Sequence, residues 1–412
     1  MRRLVRDAFL YLLLRGAGLL AFYAFTFLSA RALGPSVWGG FSLALALFQL
    51  FLFPARAGLD LSLLKLLPAL KDRKELLGPA VKKALVITFL TSSATALTAY
   101  GLLPLLSSLF SPAAVYHLSL LVPFLVPAAL FSVAAEALRA LRRVVLYAFL
   151  QGFLLYALTL LLALPLLPNE RAPSLATGLS YLSVALLAAA LLLKTLPPGR
   201  GEVSAKELLG PALFMLLSAF LSNLLFYADT LALGFLKTER EVGVYAVALR
   251  LAQLVSFFLV AVNASVAPRF SELYARNDLK ALKDLLRQSA LLSFLAALPP
   301  SLLLLTGAEK LLSLAGEKFA EGAPALRLLV LGQLVNASFG SVGYFVQMTG
   351  HYRLHALVVF IGLTLNLFLD LLLIPPLGLV GAAASSALSL VFWNAAFALF
   401  IRLRYGFNYI KL

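Results

Sequence analysis

Eight charged side chains lie within otherwise apolar stretches of this sequence, and their types and depths make them the best candidates for chemistry. Four are basic and four are acidic: Arg15, Arg56, Arg250 and Arg327, and Asp60, Glu136, Asp229 and Asp370. A charge in the middle of a membrane costs at least about 2.5 to 3.5 kcal/mol on insertion scales, so each should face a partner or water. Arginine at that depth can bind an anionic group, and a carboxylate can bind a proton or a cation.

The composition explains why these charges stand out. The 412 residues are 62% hydrophobic and only 13% charged, with a mean hydropathy of +0.97. That apolar share far exceeds the half that is usual in soluble domains, so we expect an all-α, polytopic membrane protein. The sequence has no cysteine, which excludes disulfides, thiolate metal sites and a cysteine nucleophile. It also lacks a phosphate-binding loop and any metal-ligand spacing, so we expect no cofactor, no metal site and no enzyme activity.

Runs of about 20 apolar residues predict twelve membrane spans. Six precede the midpoint of the chain and six follow it: 8–30, 38–64, 79–106, 113–138, 144–164 and 174–193, then 208–236, 242–266, 289–306, 323–348, 354–374 and 379–401. The second span contains Pro54, where we expect a kink. The longest predicted outer loop, 307–322, is short, which argues against a glycosyltransferase or polymerase with a large external catalytic loop.

The chain also contains an internal repeat with an offset of 204 residues. Phe22-Tyr23-Ala24-Phe25-Thr26 returns as Phe226-Tyr227-Ala228-Asp229-Thr230, and 10 of the 29 positions in 22–50 match their partners. The second copy carries Asp229 and Arg250 where the first has Phe25 and Ala46. We therefore predict two parallel six-helix lobes related by a pseudo-twofold axis along the membrane normal. The lobes are 1–194 and 208–412, joined by a cytoplasmic linker at 195–207 that contains Pro197-Pro198-Gly199.

The charges between spans fix the predicted orientation. With the N-terminus inside, the inner segments contain 24 Lys and Arg against 8 Asp and Glu, and the outer segments contain six of each. The whole net charge of +16 therefore lies on one face, as the positive-inside rule requires, and no nucleic-acid partner is needed to explain it. The predicted location is the cytoplasmic membrane, with both termini cytoplasmic. The charged segment 268–288 is predicted to be a surface helix against anionic headgroups.

Counting residues from the span ends gives each intramembrane charge a depth and a predicted partner. Asp229 and Arg250 lie at similar depths on antiparallel neighbours, so we expect them to pair. Arg327 and Asp370 are each about four residues from the outer ends of their spans, and we expect them to pair as well.

The remaining charges lie in the first lobe. Arg56 and Asp60 form an i,i+4 couple, and Glu136 lies beside Arg139 at a helix end. Arg15 has no such partner. Each pair can alternatively serve only to hold helices together, and Arg15 can alternatively extend its charge to the inner headgroups.

The sequence resembles the polysaccharide-biosynthesis flippases of the multidrug/oligosaccharidyl-lipid/polysaccharide exporter superfamily. The resemblance covers nearly the whole chain and rests on several short motifs in a characteristic order: Arg31 through Gly39, Gly58-Leu59, Val242-Gly243-Val244-Tyr245, Ala267-Pro268-Arg269-Phe270, Phe319 through Arg327, Gly332-Gln333, Met348-Thr349-Gly350-His351, and Asn366 through Gly381. Members commonly carry an acidic residue just before the Gly-Leu pair. Here that place is taken by Arg56, with Asp60 downstream.

The resemblance implies a flippase that moves a lipid-linked oligosaccharide, with an isoprenoid diphosphate as the expected anchor, by alternating access. Its partners would be that substrate, the membrane lipids and a coupling ion, H⁺ or Na⁺. We expect Arg15, Arg56 and Arg250 to bind the diphosphate, with Arg15 and Arg250 in a central cavity between spans one, two, seven and eight. Asp60, Asp229 and Asp370 are the candidates for ion coupling or gating. A cation-coupled multidrug exporter of the same superfamily is the main alternative, and a membrane-embedded glycosyltransferase is a lesser one.

Overall fold

A computed structural model describes residues 2–70, 72–196, 199, 201 and 203–407. Over these residues the chain is helical and has no strand. Pro197 and Pro198 of the predicted linker lie outside the described residues. The α-helices are α1 (Arg2–Arg56), α2 (Leu59–Ala69), α3 (Lys74–Leu109), α4 (Pro112–Leu121), α5 (Leu125–Ala140), α6 (Val144–Tyr147), α7 (Leu155–Ala163), α8 (Ala172–Thr195), α9 (Ala205–Leu236), α10 (Glu239–Ala275), α11 (Leu279–Thr306), α12 (Ala308–Ser313), α13 (Ala323–Phe339), α14 (Val342–Met348), α15 (Tyr352–Leu377) and α16 (Leu379–Tyr405).

The apolar helices of the described chain are consistent with the predicted arrangement of about twelve membrane helices. Nine helical segments of the described chain are long and apolar enough to cross a membrane without further division. The first of them runs 48 residues and turns at Gly34, whose φ of 78° and ψ of 171° are not helical, so it makes two passes. The helix pair Glu317–Phe339 and Val342–Met348 is bent by 44° and together has the length and apolar composition of one further span, while Asn223–Leu236 of α9 is a shorter apolar helix.

The chain divides into two compact units, residues 1–224 and 225–412, with α9 running through the boundary. The first unit has a core of buried aliphatic and aromatic side chains from α2, α3, α5 and α8, among them Leu63, Phe131 and Val184. The hydroxyl of Ser62 on α2 donates to the carbonyl of Leu208 at 2.6 Å, so the start of α9 is attached to this unit.

The prediction of a surface helix at 268–288, in the second unit, is wrong. Residues 268–288 do not form a separate surface helix, because α10 continues to Ala275 and α11 begins at Leu279, leaving only a tight turn between them. At 37 residues α10 is about 55 Å long, well beyond a hydrocarbon core of about 30 Å. Phe270 and Leu282 are fully buried in a cluster with Phe345 of α14, and this apolar packing keeps the charged segment in a helical hairpin instead of laying it along a membrane.

The predicted orientation can be tested with two single cysteines in this cysteine-free chain. Asp284 and Glu317 are both exposed, and the positive-inside rule places Asp284 inside and Glu317 outside. We expect a membrane-impermeant thiol reagent to label Glu317→Cys in intact cells and to label Asp284→Cys only after permeabilisation. Labelling of Asp284→Cys in intact cells would show that the orientation is inverted.

Candidate functional site

The second unit contains a buried polar cluster centred on Asp229, which is only 4% exposed. Its carboxylate accepts hydrogen bonds from three neutral groups on three other helices. Tyr245 Oη on α10 donates at 2.8 Å and Asn366 Nδ2 on α15 donates at 2.9 Å, while the Ser386 hydroxyl on α16 makes a short contact. Four helices of the second unit therefore meet at one carboxylate.

Asp370 adds a second acidic side chain to this cluster. It lies one helical turn after Asn366 on α15 and is fully buried. Its carboxyl group lies beside that of Asp229 and near Ser385, whose hydroxyl donates to the Gly381 carbonyl at 3.0 Å. Among the described residues, neither carboxyl oxygen of Asp370 has a hydrogen-bond partner. The Oδ1 atom of Asn366 is likewise buried without a donor. Oxygen atoms with unused acceptor capacity thus converge beside the two carboxyl groups.

This arrangement can hold a proton or a small cation. Two neighbouring carboxylates cannot both remain charged in an apolar interior unless something positive joins them. A shared proton would serve, and so would a hard cation, which prefers carboxylate, amide and hydroxyl oxygens as ligands. Asp229, Asp370, Asn366, Ser385 and Ser386 supply all three kinds of oxygen.

The repeat shows that this polar cluster belongs to one half of the chain only. At the 204-residue offset, Asp229 and Tyr245 correspond to Phe25 and Phe41 in the first unit. Both phenylalanines are buried, with ring centroids 6.1 Å apart, and Phe25 also packs edge-on against Trp38 at 5.8 Å. The same backbone positions therefore make an apolar core in one repeat and an acidic site in the other.

Two predicted pairings are wrong. Within the described part of the chain, the donors to Asp229 are Tyr245, Asn366 and Ser386, and Arg250 of α10 is not among them. Arg327 does not pair with Asp370. It contacts Glu309 at 3.2 Å and donates to the Leu305 carbonyl. Residue counting gave the positions of these side chains along their helices but not the direction in which each faces around its helix.

The local pairs in the first unit were predicted correctly. Glu136 and Arg139 form an ion pair at 3.2 Å. Arg56 and Asp60 form one at 2.9 Å, although they do not share a helix as expected, because α1 ends at Arg56 and α2 starts at Leu59. The helix is interrupted at Ala57 and Gly58, which have φ values of 49° and 69°. Arg56 is also held over the ring of Phe53, 4.5 Å from its centroid.

Arg15 has a different environment from the other charged residues. Its side chain is exposed, and Nη1 donates to the phenol oxygen of Tyr11 at 3.0 Å, with the guanidinium 5.5 Å from the Tyr11 ring centroid. The stem of Arg15 lies over Gly152, where an added Cβ would meet Arg15 Cγ at 3.1 Å. Gly152 belongs to a π-helical segment, Ala148–Leu154, a distortion that is frequent at functional sites.

Two glycines beside Arg15 have different roles, which gives a matched pair of variants. A Cβ at Gly18 would collide with the carbonyl of Gly152, whereas a Cβ at Gly16 would meet nothing within 4 Å. We expect Gly18→Ala to destabilise the first unit by about 1–3 kcal/mol, since it forces two tightly packed backbones apart. Gly16→Ala should be neutral or stabilising, by up to about 1 kcal/mol, because alanine favours a helix. Thermal unfolding of the two variants in detergent measures the difference, and equal midpoints would contradict the packing described.

Sequence reasoning identified Asp229 and Asp370 but missed Tyr245, Ser385 and Ser386 as parts of their site. The spacing of Asn366 and Asp370, four residues apart on one apolar helix, was the available signal, because it places both side chains on the same face. The serines gave no such signal, since hydroxyls are common on membrane helices.

Comparison with known protein families gives two matches. The family described as polysaccharide biosynthesis protein matches residues 4–274, well over half of the chain. The family named MatE matches residues 215–372, a segment that contains both Asp229 and Asp370.

Two curated archaeal proteins are similar to part of the chain. A probable low-salt glycan biosynthesis flippase of Haloferax volcanii is 26% identical over 164 residues, which is 40% of this chain and 35% of that protein. An uncharacterised membrane protein of Methanocaldococcus jannaschii is 28% identical over 168 residues, 40% of this chain and 33% of the other. The matched region thus spans about a third of each relative.

Solved structures show the same fold over almost the entire chain. An inward-facing multidrug resistance MATE family transporter of the MOP superfamily superposes with a TM-score of 0.78 at 17% identity and covers 94% of each chain. The lipid II flippase MurJ in an inward closed conformation superposes with a TM-score of 0.76 at 13% identity and covers 97% of this chain and 87% of its own.

Proposed function

Because the chain belongs to the polysaccharide biosynthesis protein family, we propose that it is a flippase that moves a lipid-linked oligosaccharide across the cytoplasmic membrane. The predicted anchor of the cargo is an isoprenoid diphosphate. The similarity of one curated relative, named as a glycan biosynthesis flippase, supports this class of cargo. Transport would proceed by alternating access, with both termini on the cytoplasmic side.

The observation that carries the proposal is the environment of the Arg15 side chain. Its guanidinium lies within an apolar span, is exposed, and makes its described hydrogen bond to a neutral phenol. A planar guanidinium in that position can bind a phosphate through two parallel hydrogen bonds. Arg250 is the proposed counterpart in the second repeat. Arg56 is a weaker candidate, because binding an anion there would require Asp60 to give up its ion pair.

We assign the coupling ion, H⁺ or Na⁺, to the cluster of Asp229 and Asp370. Their burial and the unused oxygens around them support a bound cation in at least one state of the transport cycle. Asp60 is the weakest of the three carboxylates proposed for this role, since Arg56 already neutralises it.

A cation-coupled multidrug exporter is the second candidate, and one observation favours it. The family match at residues 215–372 contains both buried carboxylates of the cluster, and carboxylates suit a cationic drug as well as an inorganic cation. The charges in the spans of the first unit count against an exporter of cationic drugs. They are Arg15, the Arg56–Asp60 pair and Glu136 beside Arg139, so each carboxylate there already has an arginine partner.

Ligand-dependent thermal unfolding of the purified protein separates these two candidates. A ligand that binds only the folded state raises the unfolding temperature in proportion to the logarithm of its concentration over Kd. We expect a short-chain isoprenoid diphosphate to stabilise the protein, and the matching isoprenol and the cationic dye ethidium to leave it unchanged. Stabilisation by ethidium but not by the diphosphate would favour the exporter and count against the flippase.

A further inference from the structure

Two polar contacts join the predicted outer ends of the four helices that form the Asp229 cluster. Lys237, just after α9, donates through Nζ to the Pro375 carbonyl in the last turn of α15 at 2.9 Å. Glu241, in the first turn of α10, accepts a hydrogen bond at Oε2 from the Leu379 N–H at the start of α16, at 3.2 Å. We call these two contacts the outer staple.

The outer staple lies directly above the cluster along the helices. Asp229 precedes the end of α9 by seven residues, and Asp370 precedes the end of α15 by seven. Tyr245 and Ser385 each follow the start of their helix by six. At 1.5 Å per residue, all four side chains lie about 10 Å below the stapled ends.

Between the staple and the cluster the four helices present fully buried apolar side chains. Leu233 of α9, Val242 of α10, Ile374 of α15 and Ala382 of α16 are each 0% exposed. A cation approaching Asp229 from this end must pass between these apolar side chains. They block its path as long as the outer staple keeps the helix ends together. Gly378, between α15 and α16, has a φ of 55°, and a Cβ there would collide with Glu241 Oε2, so the turn is shaped to bring the Glu241 carboxylate close.

We infer that Lys237 and Glu241 are the gate that controls cation access to the Asp229–Asp370 cluster from the predicted outer surface. This inference rests on the proposed cation coupling for its purpose, but the gate itself can be measured without transport.

The chain offers a matched control on the same helix end. Arg240 neighbours Glu241 and forms a bidentate ion pair with Glu321 at 3.1 and 2.6 Å, so it ties α10 to the Glu317–Gly322 segment and not to α15 or α16. Removing Arg240 therefore breaks a charge-assisted contact at the same helix end without breaking either contact of the outer staple.

The experiment follows the reactivity of a cysteine placed in the cluster of this cysteine-free chain. Ser385→Cys is the reporter, because Ser385 is fully buried beside Asp370. Intact cells are treated with a small trimethylammonium thiosulfonate, and the unreacted thiol is then titrated on the purified protein. We expect Glu241→Ala and Lys237→Ala each to raise the modification rate about tenfold, in line with the loss of one charge-assisted hydrogen bond. Arg240→Ala should leave the rate unchanged.

A second reporter distinguishes a gate from general loosening. Ser301 on α11 is also buried and lies five residues from the end of its helix, outside the four helices of the cluster. An unchanged rate at Ser385→Cys in both staple variants, or an equal rise at Ser301→Cys, would overturn the inference. Protection of Ser385→Cys by sodium at constant pH tests the proposed Na⁺ site separately, so failure there counts against that assignment and not against the gate.

Discussion

Asp229→Asn is expected to abolish gradient-driven transport while leaving the protein folded. The substituted amide has nearly the same shape, and its oxygen can still accept the hydrogen bond from Asn366. It cannot carry the negative charge that, with Asp370, requires a proton or cation in the cluster. We expect a loss of the gradient-dependent rate of at least about 100-fold, comparable to removing an interaction of about 3 kcal/mol.

The measurement compares substrate movement in proteoliposomes with and without an imposed Na⁺ or H⁺ gradient. Downhill exchange without a gradient should persist in Asp229→Asn, since the proposed substrate arginines are intact. Asp370→Asn should behave in the same way. Glu309→Gln is the control, because it removes a carboxylate that is exposed and paired with Arg327 outside the cluster. Wild-type gradient dependence in Asp229→Asn would show that the ion is bound elsewhere.

Arg15→Ala is expected to reduce flipping of a lipid diphosphate by about 10- to 100-fold, and Arg15→Lys by a smaller factor. Hydrogen bonds to charged groups contribute about 1.5 to 3 kcal/mol each, and lysine replaces a two-donor fork with a point charge. Both variants should insert and fold, because Arg15 is exposed and its described hydrogen bond is to Tyr11.

Tyr11→Phe is the matched control for this series. It removes the phenol hydroxyl that accepts from Arg15 but keeps the ring beneath the guanidinium and leaves the positive charge in place. Its effect should be small compared with that of Arg15→Ala. If Arg15 only extends to the headgroups, Arg15→Lys will transport as well as the wild type, and the diphosphate assignment will be wrong.

The fold was largely predictable because a membrane allows few alternatives. Twelve apolar runs had to become helices, since unpaired backbone groups are too costly in a bilayer. Local contacts were predictable for a similar reason. Arg56 with Asp60 and Glu136 with Arg139 are three or four residues apart, and short spacing determines which side chains can meet.

The centre of the candidate site was not predictable, because its contacts join distant parts of the chain. Asn366 and Ser386 lie 137 and 157 residues after Asp229, and only the packing of α15 and α16 against α9 brings them there. Depth counting placed Asp229 correctly along its helix, yet it offered Arg250 as partner because it carries no information about rotation around the helix axis. The break at Ala57 and Gly58 was missed because the kink was expected at Pro54, three residues earlier.

The most direct test of the proposed function is the flipping of a fluorescent isoprenoid-diphosphate oligosaccharide in proteoliposomes, compared with an analogue whose head linkage is uncharged. With a cation gradient imposed, we expect rapid movement of the diphosphate lipid by the wild-type protein and little movement of the analogue. The preference should disappear in Arg15→Ala, and the gradient dependence should disappear in Asp229→Asn. Equal transport of the two lipids by the wild-type protein would show that the diphosphate is not what the protein recognises.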